Sequence, residues 1–191
     1  MRRSLPVALM LFGCEGVSPP GDLSKFTPVK SLAQVSGYAG KGSELTRLDI
    51  DDALPNGTVD LTADYAPKIR YTFRAPATER DISDLGAGPP GSAPKVGDWI
   101  SVSVRVENSK YWCRGKDCAT KGMERSVSRA TVSEKGFVPA CNLEELWKAA
   151  RAAGAPTPAA ADVKYSADGI DFEVGQPKFE LKFDAHCKAK K

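Results

Sequence analysis

His186 is the only histidine in the 191 residues, so any Ser–His or Cys–His hydrolytic scheme must run through it. The apolar alternation around it puts His186 on the polar face of a C-terminal strand, beside Cys187, where a solvated surface histidine is the plain reading. No Gly-x-Ser-x-Gly elbow occurs, and no Ser-x-x-Lys sits at a helix start. Asp49, Asp51 and Asp52 form an acidic cluster that could pair carboxylates for glycoside chemistry or hold a cation. An EF-hand needs Gly and Glu at fixed loop positions, which fall here on Leu54 and Asp60, so only a looser calcium site stays open. Cys113 and Cys118 have a gap compatible with zinc ligation, but no second close cysteine pair completes a site. No phosphate-cradling glycine motif precedes a helix. No metal and no cofactor is expected. Trp99, Tyr111 and Trp112 are the candidate binding aromatics: Trp99 falls on the polar parity of its strand, and the other two flank Cys113. The competing role for Trp112 is packing on its neighbouring cysteine pair.

The strongest short pattern lies at the N-terminus. Arg2 and Arg3 precede an apolar stretch, Leu5 to Gly13, which ends in Leu11-Phe12-Gly13-Cys14. A secretory apolar region needs roughly 7–15 residues and a membrane span about 20. The order of charge, apolar run, small residue and cysteine resembles the lipobox of bacterial lipoprotein signal peptides. The resemblance covers only this leader. It implies a signal peptide over 1–13, cleavage before Cys14 and acylation of that cysteine. The partner would then be membrane lipid, since each buried acyl CH₂ contributes about 0.8 kcal/mol. The family's sorting habit, with Glu15 rather than aspartate after the cysteine, favours the outer membrane over the inner.

An even cysteine count in an exported chain reads as a disulfide framework. Cys113, Cys118, Cys141 and Cys187 allow three pairings. Cys113–Cys118 and Cys141–Cys187 are favoured: Gly115 lets the short loop turn back, and Cys187 continues the inward parity of Phe179, Leu181 and Phe183. The formal charge of +3 drops toward neutrality once Arg2 and Arg3 leave, which argues against nucleic acid as partner.

The elements that must position these residues read as mostly strand. Residues 14–44 are Pro- and Gly-rich at both ends and read as a lipidated N-terminus with a flexible tether. Leu45, Leu48 and Ile50 open an apolar pattern, Pro55-Asn56-Gly57 is a turn, and Thr58 to Ala63 reads as a strand. Lys68 to Ala75 and Asp98 to Glu107 alternate cleanly, and Arg125 to Glu134 continues in the same vein. Between them, 76–95 reads as a disordered loop. Asn142 and Glu145 form a capping box before Leu143, Leu146, Trp147 and Ala150, which share one helix face. Gly154 ends that helix, and strands follow around Asp168-Gly169 and Gly175-Gln176-Pro177.

The expected fold is therefore mainly β (α+β). A sandwich-like antiparallel region spans 45–138, and a subdomain over 139–191 packs one helix on a three-stranded antiparallel meander, with Trp147 meeting Phe183. The expected role is a membrane-anchored envelope lipoprotein acting as a non-enzymatic binding or assembly module for an envelope protein or glycan. The alternative is an envelope hydrolase acting on cell-wall or extracellular polymer.

Overall fold

The computed structural model describes residues 17–65, 67–86, 93–107, 122–129 and 135–190. Cys14, Tyr111, Trp112, Cys113 and Cys118 lie outside them. The order is α1 (Leu32–Ala39), β1 (Glu44–Ala53), β2 (Lys68–Pro76), α2 (Glu79–Leu85), β3 (Trp99–Glu107), β4 (Met123–Ser128), α3 (Leu143–Ala152), β5 (Ala161–Ser166), β6 (Gly169–Val174) and β7 (Phe179–Phe183). The fold is α+β, with seven strands in one antiparallel sheet of order β4-β3-β2-β1-β5-β6-β7.

Register explains the single core. Val106, Ile69, Ile50, Val163, Phe172 and Leu181 are successive cross-strand partners, and so are Val104, Tyr71, Leu48, Tyr165, Ile170 and Phe183. Period-two alternation puts these rows on one face, while Arg105, Arg70, Asp49, Lys164, Asp171 and Lys182 line the other. β1 is not strictly alternating because it carries two irregularities, between Leu45 and Arg47 and between Ile50 and Ala53. Each inserted step restores the inward parity, so Leu45, Leu48, Ile50 and Ala53 are all buried.

The sequence expectation of two separable units does not hold. β1 pairs with β2 on one side and with β5 on the other, so the C-terminal strands extend the same sheet. Among the described residues the seven strands form one sheet and share one apolar face. Thr58 to Ala63 is not a strand. Val59 makes a single bridge to Phe26, and Val59 and Leu61 are both fully buried, which strand alternation would also allow but the backbone does not follow.

The expected tether over 14–44 is folded through most of its length. Leu23–Lys25 forms a 3-10 turn, Phe26 and Val35 are buried, and the Tyr71 hydroxyl reaches up from the sheet to donate to the Pro28 carbonyl at 2.9 Å. Burying one such phenylalanine contributes about 1.5–3 kcal/mol, enough to dock a segment whose composition alone reads as linker. The expected disordered loop over 76–95 likewise contains α2. Thr78 accepts from the Asp81 N–H while Asp81 accepts from the Thr78 N–H, a reciprocal cap. Asp81 is only 2% exposed and meets Arg125 of β4 at 2.7 Å. A carboxylate buried in this way stabilises the fold only because it is paired.

α3 forms as its sequence predicts. Asn142 and Glu145 cap it, and Leu143, Leu146, Trp147 and Ala150 are buried. Its indole, however, stacks edge-on against Phe172, with ring centroids at 4.9 Å, rather than against Phe183. Phe183 is the next ring, 6.2 Å beyond Phe172. The Trp147 Nε1–H donates to the Ala53 carbonyl at 3.2 Å, which ties α3 to the second irregularity of β1.

The Cys141–Cys187 disulfide is present, with Cα atoms 5.5 Å apart. The route to it differs from the expectation that β7 runs straight through Cys187. β7 ends at Phe183, Ala185 is exposed, and the chain turns back as a hook. Asp184 Oδ1 accepts from the N–H groups of His186 and Lys188, Cys187 takes a φ of 60°, and Lys190 N–H donates to the Lys182 carbonyl at 2.7 Å.

Candidate functional site

One face of α1 and the first residues of β1 form one wall of a cleft of about 310 Å³. Leu32 and Ser36 come from α1, Ser43 to Leu45 from the entry to β1, Phe73 from β2, and residues 136–138 close the far side. That far side is pinned where the Phe137 N–H donates to the Leu45 carbonyl at 2.8 Å. The irregularity after Leu45 lets Leu45 and Leu48, three residues apart, share the apolar face, and from that face Leu45 lines the cleft. Val138 stands at the mouth, 81% exposed.

Three polar side chains of the cleft have partners within the protein. Ser43 Oγ donates to the Ser36 carbonyl at 3.0 Å and accepts from Ser36 Oγ at 2.9 Å. Glu44 Oε2 accepts from Arg74 Nε at 2.8 Å and Nη2 at 2.5 Å. Arg74 in turn lies over the Trp99 ring, with Cζ 4.8 Å from its centroid. The site therefore offers apolar walls and a rim of ordered charge.

Trp99 is exposed, as its parity predicts, yet one ring face is covered by Arg74. The pair stabilises the rim by a cation–π contact, about 0.5–1 kcal/mol at an exposed site. Pro76 is its cross-strand neighbour. His186 is exposed in the hook, with its backbone N–H on Asp184.

The acidic cluster divides. Asp49 is held by Arg47 at 2.8 Å on the polar face of the sheet. Asp51 and Asp52 occupy the second irregularity of β1, where Asp52 takes a φ of 55° and its N–H donates to Asp162 Oδ1 at 3.1 Å. Partial burial, then the Asp162 charge, raises both the Asp51 and the Asp52 carboxyl above the ordinary range. Asp49, Asp51, Asp162, Asp171 and Glu173 border a depression of about 240 Å³, with Lys164 among them. No group of three or more His, Cys, Asp or Glu side chains converges on a metal position among the described residues.

The sequence reading missed the cleft because no motif marks it. Its residues come from a stretch that composition assigns to linker, from two strands and from an irregular segment. Only the apolar spacing Leu32, Val35, Ala39 hinted that 32–39 had a buried side. The Thr78-x-x-Asp81 pattern was the one readable signal for α2.

No helix among the described residues is long and apolar enough to cross a membrane. No family model, curated protein or solved structure matches this chain.

Proposed function

We propose that the chain is a lipid-anchored envelope protein whose folded part binds a partner through the α1–β1 cleft, without catalysis. The observation that carries the binding role is the cleft itself. Ser36, Ser43 and Glu44 Oε2 have partners within the protein, so apolar burial against Leu32, Leu45, Phe73 and Phe137 is the main chemistry the cleft offers a partner. An apolar side chain of an envelope protein, or the apolar face of a glycan ring, suits such a space.

The leader pattern supports the anchor, and the fold supports a definite orientation for it. Val17, three residues after Cys14, already bridges to Met123 on β4. Three residues span at most about 11 Å. An acyl chain on Cys14 therefore keeps the β4 edge beside the membrane. Seven strands at about 4.8 Å spacing put the β7 edge roughly 30 Å across the sheet from it.

Two measurements test the reading in the producing cell. Metabolic labelling with a palmitate analogue should tag the protein, and Cys14→Ser should release it from membranes; unlabelled protein that is soluble in both forms overturns the anchor. A photo-crosslinking residue at Val138 should give a discrete adduct that the same residue at Ser103, on the open sheet face, does not. Equal or absent adducts overturn the cleft.

A further inference from the structure

We infer that the β7 edge is a self-pairing surface for a second copy of this chain, and that the C-terminal hook covers it. The Lys182 carbonyl accepts from Lys190, so its backbone polar groups point away from β6. In an antiparallel strand the N–H and C=O of one residue share a side, and the side repeats every second residue. Glu180 therefore also points outward, and no other described backbone group pairs with it.

The sequence of this edge is complementary to itself. Residues 178–184 read Lys-Phe-Glu-Leu-Lys-Phe-Asp. Two copies paired antiparallel about Leu181 set Glu180 opposite Lys182 twice and Lys178 opposite Asp184 twice, with Phe179 facing Phe183. Glu180 and Lys182 are the outward residues on both copies, so each such pair can exchange two backbone hydrogen bonds. A two-fold axis normal to the sheet keeps the apolar faces on the same side, where half-buried Phe179 and Leu181 gain cover. Opposite charges directly across a pair are favourable and like charges are not, which selects this register and a second copy as the occupant.

The hook competes for the same atoms. It takes the Lys182 carbonyl and the Asp184 N–H, and it occupies the Asp184 carboxylate that would meet Lys178 of the other copy. Cys187 ties the hook to Cys141 at the start of α3, and Lys190 Nζ also donates to the Asp168 carbonyl. The closed hook leaves too short an edge for the full register.

The test uses the full chain carrying Cys14→Ser. With the disulfide intact it should sediment as a monomer. Adding Cys141→Ser, Cys187→Ser and Lys190→Pro, the last to remove the N–H that binds Lys182, should give a dimer in the presence of reductant. The Glu180 and Lys182 amides should then gain protection from hydrogen exchange. In that background Glu180→Lys should weaken the dimer about tenfold, since two attractive cross-strand pairs become repulsive. Combining it with Lys182→Glu should restore it. If the triple variant loses its far-UV signal, Cys141→Ser with Cys187→Ser alone is measured in the same way. A folded, hook-open chain that stays monomeric, or a dimer indifferent to the charge reversal, overturns the proposal.

Discussion

The two edges of the sheet are fastened by different chemistry. At the β4 edge, Arg125 donates to the Ala39 carbonyl at 2.9 Å and meets buried Asp81 at 2.7 Å, so one guanidinium ties together β4, the end of α1 and the start of α2. The Tyr38 hydroxyl adds a long contact to the Met123 carbonyl at 3.4 Å. At the β7 edge a covalent bond does the corresponding work, and the groups beside it are exposed. The first fastening depends on charge state, the second on thiol oxidation state. Each edge should therefore respond to a perturbation that leaves the other intact.

The largest expected effect is at the β7 edge. Cys141 and Cys187 are 46 residues apart in sequence, so loop-closure entropy gives the disulfide about 4 kcal/mol. Denaturant unfolding of Cys141→Ser/Cys187→Ser should show a loss of that order, with Asp81 chemistry unchanged. A loss below about 1 kcal/mol would mean that the hook holds without its bond.

Arg125→Ala comes next. It strands the Asp81 carboxylate beneath α2, and breaking a buried pair from one side costs about 3 kcal/mol at the low end. The low end applies because the Arg125 side chain keeps 21% of its exposure. Asp81→Asn with Arg125→Met should cost less than Arg125→Ala alone, because no buried charge is left unpaired. Equal losses in a thermal or denaturant series would show that the guanidinium acts only through Ala39.

The smallest effect sharpens the contrast by pH. Burial would raise the Asp81 carboxyl, but its hydrogen bonds to Arg125 and Thr78 and the Arg125 charge together hold it below the ordinary range. A carboxyl depressed in the fold contributes stability that is present above its unfolded value near 3.8 and is lost as pH falls through its lower folded value. Asp51 behaves oppositely: its folded value is raised by burial and by Asp162, so it costs stability near neutrality and the cost is relieved as pH falls through that raised value. Asp81→Asn should flatten the acid limb of a stability–pH curve, and Asp51→Asn should raise stability at neutral pH. Unchanged curves for both would remove the electrostatic side of the comparison.

How far the sequence spoke for the fold can be judged at particular residues. α3 was legible because Asn142, Glu145 and the stripe through Trp147 are local signals, complete within three turns. β2 and β3 were legible from strict alternation. α2 was not, because prolines and glycines around it outweighed one Thr-x-x-Asp cap in a composition reading. The cleft was not legible at all: Leu32, Phe73 and Phe137 are far apart in the chain, and nothing local marks them as neighbours.

The sequence by itself determined the local propensities, the caps, the inward parity of β2 and β3 and the leader pattern at Cys14. Parity says which side chains face a core, but it does not say which strands share one. Only the tertiary structure decided that β1 lies between β2 and β5 and merges two apparent units into one sheet. It also decided that Phe26 and Val35 dock onto that sheet, and that Asp81 finds Arg125. The physical reason is that pairing order and burial depend on contacts between residues distant in sequence, and a single chain's pattern carries the period of an element but not its neighbour.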